Sequence, residues 1–356
     1  MPRVWEVPVH DSTRVRDVRV ATEEAAARAG LDEDRTAGAA LVATELATNL
    51  LKHADGGRIL LDLVDSALVA PGQEPTPVVQ ILAVDHGPGM HDMVTALRDG
   101  YSTTGSLGAG LGTCRRVADD FDLHSVPGRG TVALARIGAR RGRSGTAGRP
   151  ALPSVRAGGV NVPFAGAEYS GDAWAGIRSG TRVTLMLADG LGHGPDAARA
   201  SSAAVEELRR SADLPPAEIL RQLDGALRDT RGAAVAVAQL DVAAGQLHFA
   251  GVGNIGARLC RGDRWQHLLS HPGIVGAHQS ARVPQHRVGW EDDCLLVLHS
   301  DGLPSRWSPG PAAHSPFLDP AVVAAVIVRD ASSSARPVRD DTAVAVLCPV
   351  PPDRTS

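Results

Sequence analysis

At 356 residues the chain is long enough for two domains that each bury their own core. Its formal net charge of −4 supplies no basic field for nucleic acid or an anionic membrane. Lys52 is the sole lysine, which excludes a Walker phosphate loop, and the four cysteines Cys114, Cys260, Cys294 and Cys348 form no CxxC pair for zinc or a disulfide frame.

In chain order, the apolar spacing predicts helices over Ser12–Ala29 and Asp34–His53, then strands at Arg58–Val64 and Val78–Val84 joined through Ala70–Pro77. A glycine-rich loop, Thr103 to Gly112, leads into a helix from Gly110 to Asp120. Strands at Asp122–Val126 and Gly130–Arg136 follow, joined by Pro127-Gly128-Arg129. Residues 138–153 are rich in Gly, Arg, Ser and Pro without apolar periodicity, as in a flexible linker. The expected organisation is therefore an N-terminal α+β domain over 1–137, a linker over 138–154 and a second domain over 155–350. In the second domain the pattern predicts helices at Pro195–Ser211, Pro215–Thr230 and Pro320–Val328. Strands are expected at Val183–Leu187, Ala233–Leu240, Gln246–Gly251, Ile255–Arg261, Cys294–His299 and Ala343–Leu347, with another starting near Asp172. The longest apolar run, Ala321–Val328, is too short to span a bilayer, and no basic-then-apolar leader opens the chain. A cytoplasmic protein with reduced, buried thiols is expected.

Three stretches carry chemistry in the first domain. Glu45 and Asn49 stand four apart on one helix and share a face, where a carboxylate and an amide could position a hydroxyl and hold Mg²⁺. Asp85, at a strand end with Gly87 and Gly89 after it, could accept the exocyclic amine of adenine against bare backbone. The glycine loop offers backbone N–H groups to phosphates. Each alone reads equally as a helix face, a turn or a loop.

Taken in order, ExxxN, DxGxG, the GLGxGLG-like loop and Gly130-Thr131 on a last strand resemble the GHKL ATPases. The likeness is closest to anti-sigma-factor serine kinases of the RsbW and RsbT type. The resemblance implies a Bergerat-type α/β sandwich, with ATP and Mg²⁺ as cofactors. It further implies Glu45 as the base that activates an acceptor hydroxyl, Asn49 as a Mg²⁺ ligand and Asp85 on adenine. Gly87 and Gly89 would line the base, and Gly108, Gly110 and Gly112 would form the phosphate lid. Thr131 would lie beside the nucleotide, with Lys52 and His53 approaching the phosphates.

The second domain places Asp172, Asp189, Asp301 and the pair Asp340-Asp341 beside apolar strands, Asp189 and Asp301 directly before glycine. Any one reads as a turn or cap residue. Four such positions suggest oxygen ligands for two Mg²⁺ or Mn²⁺ ions, which lower the pKa of a shared water for in-line attack on phosphorus. The order GDxW, ADGLGHG, GVGN, SDG and DDT resembles the PPM metal-dependent protein phosphatases, closest to the SpoIIE and RsbX branch. That resemblance implies an αββα sandwich. Asp189 would bridge both metals and the Gly190 carbonyl would complete one shell, with Asp172, Asp301 and Asp340 supplying the other carboxylates. Where relatives carry an upstream phosphate-binding arginine, Arg156 or Arg178 is the substitute. Together the two likenesses imply a bifunctional kinase and phosphatase acting on STAS-domain proteins in a stress or sigma-factor switch; a homodimer is left open. The alternative is an N-terminal domain that only binds ATP and a partner.

Overall fold

The computed structural model describes residues 3–65, 68, 70, 76–97, 110–139, 155–277, 283–304, 307–308, 310, 318–332 and 338–350. The glycine loop from Thr103 to Ala109 with Gly108, most of the Ala70–Pro77 connection, and residues 140–154 of the expected linker lie outside the described residues. Packing divides the chain into two compact units, one of residues 4–66 and 75–150 and another principally of residues 151–356.

The N-terminal unit contains β1 (Trp5–Val9), α1 (Ser12–Arg28), α2 (Glu33–Ala54), β2 (Gly57–Asp65), β3 (Pro77–Val84), the single turn α3 (Met93–Ala96), α4 (Gly110–Val117), β4 (Asp120–Val126) and β5 (Gly130–Gly138). Its antiparallel sheet runs β1-β2-β3-β5-β4. Helix α2 starts where the Asp32 carboxylate accepts the N–H of Arg35 at 2.8 Å, with Glu33 and Asp34 in the first turn. It ends where Asp55 adopts a left-handed conformation, with Lys52 and His53 in the last turn. Ala39, Val42, Ala43, Leu46 and Leu50 recur at three- and four-residue spacing and bury against Ile59, Ile81 and Ala133 of the sheet. This packing fixes the rotation of α2, and with it the direction of Glu45 and Asn49.

The C-terminal unit contains β6 (Val155–Val162), β7 (Asp172–Ser179), β8 (Arg182–Gly190), α5 (Pro195–Ser211), α6 (Pro216–Ala226), β9 (Ala233–Asp241), β10 (Gln246–Val252), β11 (Gly256–Arg261), β12 (Arg264–Leu268), β13 (His286–Gly289), β14 (Cys294–His299), α7 (Pro320–Ala331) and β15 (Thr342–Pro349). Two antiparallel sheets, β13-β10-β9-β8-β7 and β12-β11-β14-β15-β6, pack face to face through Leu185, Leu187 and Phe249 against Leu296, Leu298 and Ala345. Helices α5 and α6 cover the outer face of the first sheet, and α7 covers β6 and β15. The result is four layers, helix–sheet–sheet–helix. In β8 the odd residues Val183, Leu185 and Leu187 face the other sheet, while Met186 and Ala188 face the helices. Burial on both faces is why this strand reads as an unbroken apolar run.

The elements expected from sequence form with small shifts: α6 stops at Ala226 rather than Thr230, and β5 runs through Gly138 into the expected linker. Four strands were not anticipated, β1, β6, β12 and β13. All four cysteines are free and buried. Among the described residues no helix is long and apolar enough to cross a membrane.

The corner from β8 into α5 is tight. A Cβ built on Gly190 would stand 2.1 Å from the Ala197 carbonyl oxygen. Gly225 in α6 has open space around the same position. Gly190→Ala should therefore cost about 1–3 kcal/mol through overpacking, whereas Gly225→Ala should gain roughly 0.5–1 kcal/mol from helix propensity. Urea unfolding of the two variants checks the opposite signs.

Candidate functional site

The acid cluster of the C-terminal unit is built by strand register. Asp172 opens β7 and Asp189 nearly closes β8, and the two are directly paired. Directly opposed residues share a face, and the alternation along β8 puts that face between the two sheets. From the second sheet, Asp301 follows β14 in Ser300-Asp301-Gly302, and Asp340-Asp341 precede β15. The antiparallel pairing of β14 with β15 brings these two ends together, His299 opposite Val344. Four strand ends thus contribute acids to one region.

The carboxyls register their crowding. Burial, then the charge of Asp301 with Asp340 and Asp341, pushes Asp189 up to about 7. Burial, then the charge of Asp189, holds Asp172 well above the usual carboxylate range. Burial and Asp340 raise Asp301. Each fits the rule that desolvation and like charges disfavour ionisation. Both carboxylate oxygens of Asp172 are buried with no hydrogen-bond partner among the described residues. Buried polar atoms are seldom left so, and a cation is one of the partners that satisfies them. The donor set is oxygen only, which suits Mg²⁺ or Mn²⁺ rather than zinc. Among the described residues no three acidic, imidazole or thiol groups converge into a closed cage. Carbonyl or water oxygens must then complete any shell, and the Gly190 carbonyl lies beside Gly171 and Asp341 Oδ2.

Asp340 and Asp341 separate by function. Asp341 shares the parity of Ala343 and Ala345, faces inward and is buried. Its two oxygens accept the backbone N–H groups of Phe164 and Gly171, each at 2.7 Å. It clamps the segment that leads into Asp172. Asp340 is exposed and, among the described residues, accepts the N–H of Asp341 at 2.9 Å.

Other residues hold the acids in place, though no role was read for them from sequence. Asn254, last in GVGN, donates to Asp301 Oδ2 at 2.7 Å. Asn161 donates to the Asp172 carbonyl at 2.7 Å. Ser300 Oγ accepts the N–H of Ala343 at 2.9 Å, tying β14 to β15. The indole N–H of Trp307 can only donate, so the His299 Nε2 it reaches at 3.2 Å is the acceptor. The ring proton then sits on Nδ1 and is donated to the Ser300 carbonyl at 2.9 Å. Burial pushes His299 down to about 4, keeping it neutral in this role.

Arg156 and Arg178 do not serve as phosphate arginines. Arg156 pairs with Cys348 and Arg178 with Val183, each six residues along its strand from the acid end. That is roughly 20 Å at the rise of an antiparallel strand. Arg156 instead donates to the Leu318 carbonyl at 3.0 Å, and Arg178 to that of Gly180 at 3.3 Å.

In the N-terminal unit, Glu45 and Asn49 face the start of α4. A Cβ on Gly110 would lie 3.4 Å from the Asn49 amide and 3.6 Å from Glu45 Oε2. Asn49 Nδ2 is buried without an acceptor among the described residues. Asp85 is buried, and its Oδ1 accepts the N–H groups of Gly87 at 2.8 Å and Thr131 at 3.0 Å. Gly130, at φ +85°, permits this: a Cβ there would stand 2.2 Å from the Asp85 carbonyl oxygen. Thr131 Oγ1 bonds Ser125 Oγ at 2.9 Å, and the Ser125 hydroxyl oxygen accepts the N–H of Met90, just after Gly89, at 2.8 Å. A cleft of about 690 Å³ opens between Lys52, His53 and Asp55 on one side and His86, Gly87 and Pro88 on the other. Gly112 is buried in α4, against the helix that carries Glu45.

Residues 179–349 match the family model for Stage II sporulation protein E (SpoIIE), and residues 9–136 match the histidine kinase-like ATPase domain. Serine/threonine-protein kinase RsbT of Bacillus subtilis (strain 168) is 39% identical over 92 residues, which is 26% of this chain. The chain spans 64% of that kinase's length. Among solved structures, one from work on the bacterial stressosome, a modular system adapted to control secondary messenger signalling, is 28% identical and covers 54% of this chain and 98% of its own, with a TM-score of 0.49. The phosphatase domain of Bacillus subtilis SpoIIE with a fragment of its regulatory domain is 16% identical, covering 96% of this chain and 97% of its own at a TM-score of 0.47.

The raised carboxyls set a pH dependence. Asp172 and Asp189 are held above their usual 3.8 when folded, so as pH rises from about 4 the unfolded chain releases protons that the folded chain still binds. Stability must then fall with pH through that window, up to about pH 7 for Asp189. The metal-free chain should melt roughly 5 °C lower at pH 8 than at pH 5. Asp189→Asn should flatten the profile, and Mn²⁺ at pH 8 should restore the melting temperature. A metal-free Tm that rises with pH would contradict the crowding.

Proposed function

We propose that the chain, whose residues 9–136 match the histidine kinase-like ATPase domain and whose residues 179–349 match the SpoIIE model, runs two opposed phosphate chemistries. Residues 1–137 would transfer the γ-phosphate of ATP to a serine or threonine of a partner protein. Residues 155–350 would remove phosphate from phosphoserine or phosphothreonine, with the intervening segment as tether. The observation that carries the phosphatase half is the Asp172–Asp189 pair on the face between two sheets, Asp172 buried and without a hydrogen-bond partner among the described residues, Asp189 half-buried opposite it.

In that reading Asp172, Asp189, Asp301, Asp340 and the Gly190 carbonyl would hold two Mn²⁺ or Mg²⁺ ions. Bound there, the ions supply a water of lowered pKa and neutralise phosphoryl charge. The chain's own residues keep the ligands oriented. Asn254 fixes the Asp301 carboxylate, Asp341 pins the backbone before Asp172, and the register of β7 and β8 sets Asp189 against it. Asp340 is preferred over Asp341 as the ligand because both oxygens of Asp341 already hold backbone N–H groups.

In the kinase half, Glu45 would take the proton of the acceptor hydroxyl. Asn49, one helical turn on, would hold Mg²⁺ through its oxygen and donate its unsatisfied N–H to phosphate. Asp85 would read the amine of adenine while Gly87, Gly89 and Thr131 line the base, and Lys52 would reach the phosphates from the rim of the cleft. Gly110 and Gly112, with Gly108 beyond the described residues, would form the lid.

The partner proposed is a STAS-domain protein of a stress or sigma-factor switch. A phosphate adds roughly −1.5 to −2 charges to its surface, enough to disfavour one docked complex and favour another.

The test uses Asp189→Ala, so that added phosphate is not removed. Incubated with Mg-ATP and a STAS-domain protein encoded nearby, this chain should raise the partner's intact mass by one phosphate, and adding Glu45→Ala should abolish the gain while ATP binding persists. The phosphorylated partner should lose its phosphate to the unmodified chain only with Mn²⁺ or Mg²⁺ present. ATP binding without transfer across a screen of STAS proteins would instead make the N-terminal unit a sensor that governs the phosphatase.

A further inference from the structure

Arg231 lies against the turn that follows Asp189. The β8–β9 ladder ends with Asp189 opposite Ala234 and Gly190 opposite Ala233. It is prolonged by one more bond, from the Leu191 N–H to the Gly232 carbonyl at 3.0 Å. That bond fixes the position of Arg231 against the Gly192 turn. Arg231 Nη1 lies 3.0 Å from where a Cβ on Gly192 would be, so the guanidinium rests on bare backbone of the ADGLGHG turn. Arg231 stands three residues before Ala234, the partner of Asp189, so its Cα lies within about 11 Å of that partner's. An arginine side chain and a phosphoserine side chain together bridge that span.

Among the described residues, ion pairing at this corner sets two cations against one carboxylate. Asp196, in the first turn of α5, meets Arg231 Nη2 at 3.1 Å and Arg199 Nη2 at 2.7 Å. One carboxylate is shared by two guanidinium groups, and the Arg231 side chain remains 54% exposed. Such an exposed pair adds little to stability, so folding does not explain the placement. Phosphate dianions are repelled by the neighbouring carboxylates, and a planar guanidinium can bind two phosphoryl oxygens at once.

Resting on the phosphatase reading above, we propose that Arg231 is the phosphate-docking residue of the C-terminal unit, exchanging Asp196 for the phosphoryl oxygens of an incoming phosphoserine or phosphothreonine. It takes the place that Arg156 and Arg178, at the far strand ends, cannot fill. Asp196 holds the guanidinium ready over the turn, and Arg199 compensates Asp196 once Arg231 leaves it.

The test measures Mn²⁺-dependent hydrolysis of a phosphoserine peptide, and binding of its fluorescent form to Asp189→Ala by anisotropy. Arg231→Gln should raise KM about tenfold with kcat within twofold, and Arg231→Lys should recover part of that, as expected when a ground-state phosphate contact is lost. In the Asp189→Ala background Arg231→Gln should weaken phosphopeptide binding by a similar factor without altering binding of the unphosphorylated peptide. Asp196→Asn should not raise KM, and Arg178→Gln should match the unmodified chain. An unchanged KM in Arg231→Gln, or an equal effect from Arg178→Gln, overturns the assignment. If Asp189→Ala still hydrolyses the peptide, the phosphatase reading fails instead, and the anisotropy arm still decides whether Arg231 binds phosphate.

Discussion

Asp172 and Asp189 sit opposite each other on adjacent strands, on the face where two sheets meet, and like charges directly opposed are unfavourable in any sheet. Burial makes the pairing costlier still. Much of the C-terminal unit is arranged around holding these groups there. Asp341 uses both oxygens to tether the backbone that delivers Asp172, and Asn161 takes the Asp172 carbonyl. Gly302 lies so close to Asp341 and Thr342 that a side chain would collide with them. The Trp307–His299–Ser300 chain steadies the residue before Asp301 from behind. Stability is given up locally and recovered by the apolar sheet interface and by helix α7, buried from Pro320 through Arg329.

The N-terminal unit solves a different problem with the same means. A carboxylate, Asp85, is buried at a strand end, but two backbone N–H groups satisfy it without any second acid. The hairpin that carries Thr131 and the turn that carries Gly87 are locked onto one oxygen, so the strand end is pre-organised. Glu45 and Asn49 are held by the helix α2, whose apolar stripe leaves its rotation no freedom. Among the described residues, the Asp172 carboxylate in one unit and the Asn49 amide nitrogen in the other are both buried without a hydrogen-bond partner, and both lie in the sequence motifs.

The helices and interior strands were legible because their burial imposes a period or an unbroken apolar run. The four strands that were not anticipated share one property: β1, β6, β12 and β13 are all sheet edges. Edge strands need less apolar surface and tolerate proline, glycine and charge, as in Trp5-Glu6-Val7-Pro8-Val9 and Arg264-Trp265-Gln266-His267-Leu268. The clustering of Asp172, Asp189, Asp301 and Asp340 was foreshadowed because each acid borders an apolar strand. Asn254 and Asp341 were not recognised as supports, since a hydrogen bond between distant loops leaves no spacing to read. Arg156 and Arg178 misled for a related reason. Their nearness in sequence to Asp172 says nothing of which end of a strand they occupy, and only the register reveals that they lie at the opposite one.

The buried cysteines bear on how the chain meets oxidants. Burial pushes the thiols of Cys260 and Cys348 up to about 11, burial with the charge of Glu45 pushes Cys114 to about 12, and burial raises Cys294. Peroxides and alkylating reagents attack the thiolate, and at pH 7 a thiol titrating near 11 is ionised in roughly one molecule in ten thousand. Burial and the raised thiol pKa values both disfavour reaction at the four cysteines of the folded chain. A cysteine introduced on the surface would react faster than any of them, and a fluorophore or spin label could be attached there without first removing the native four.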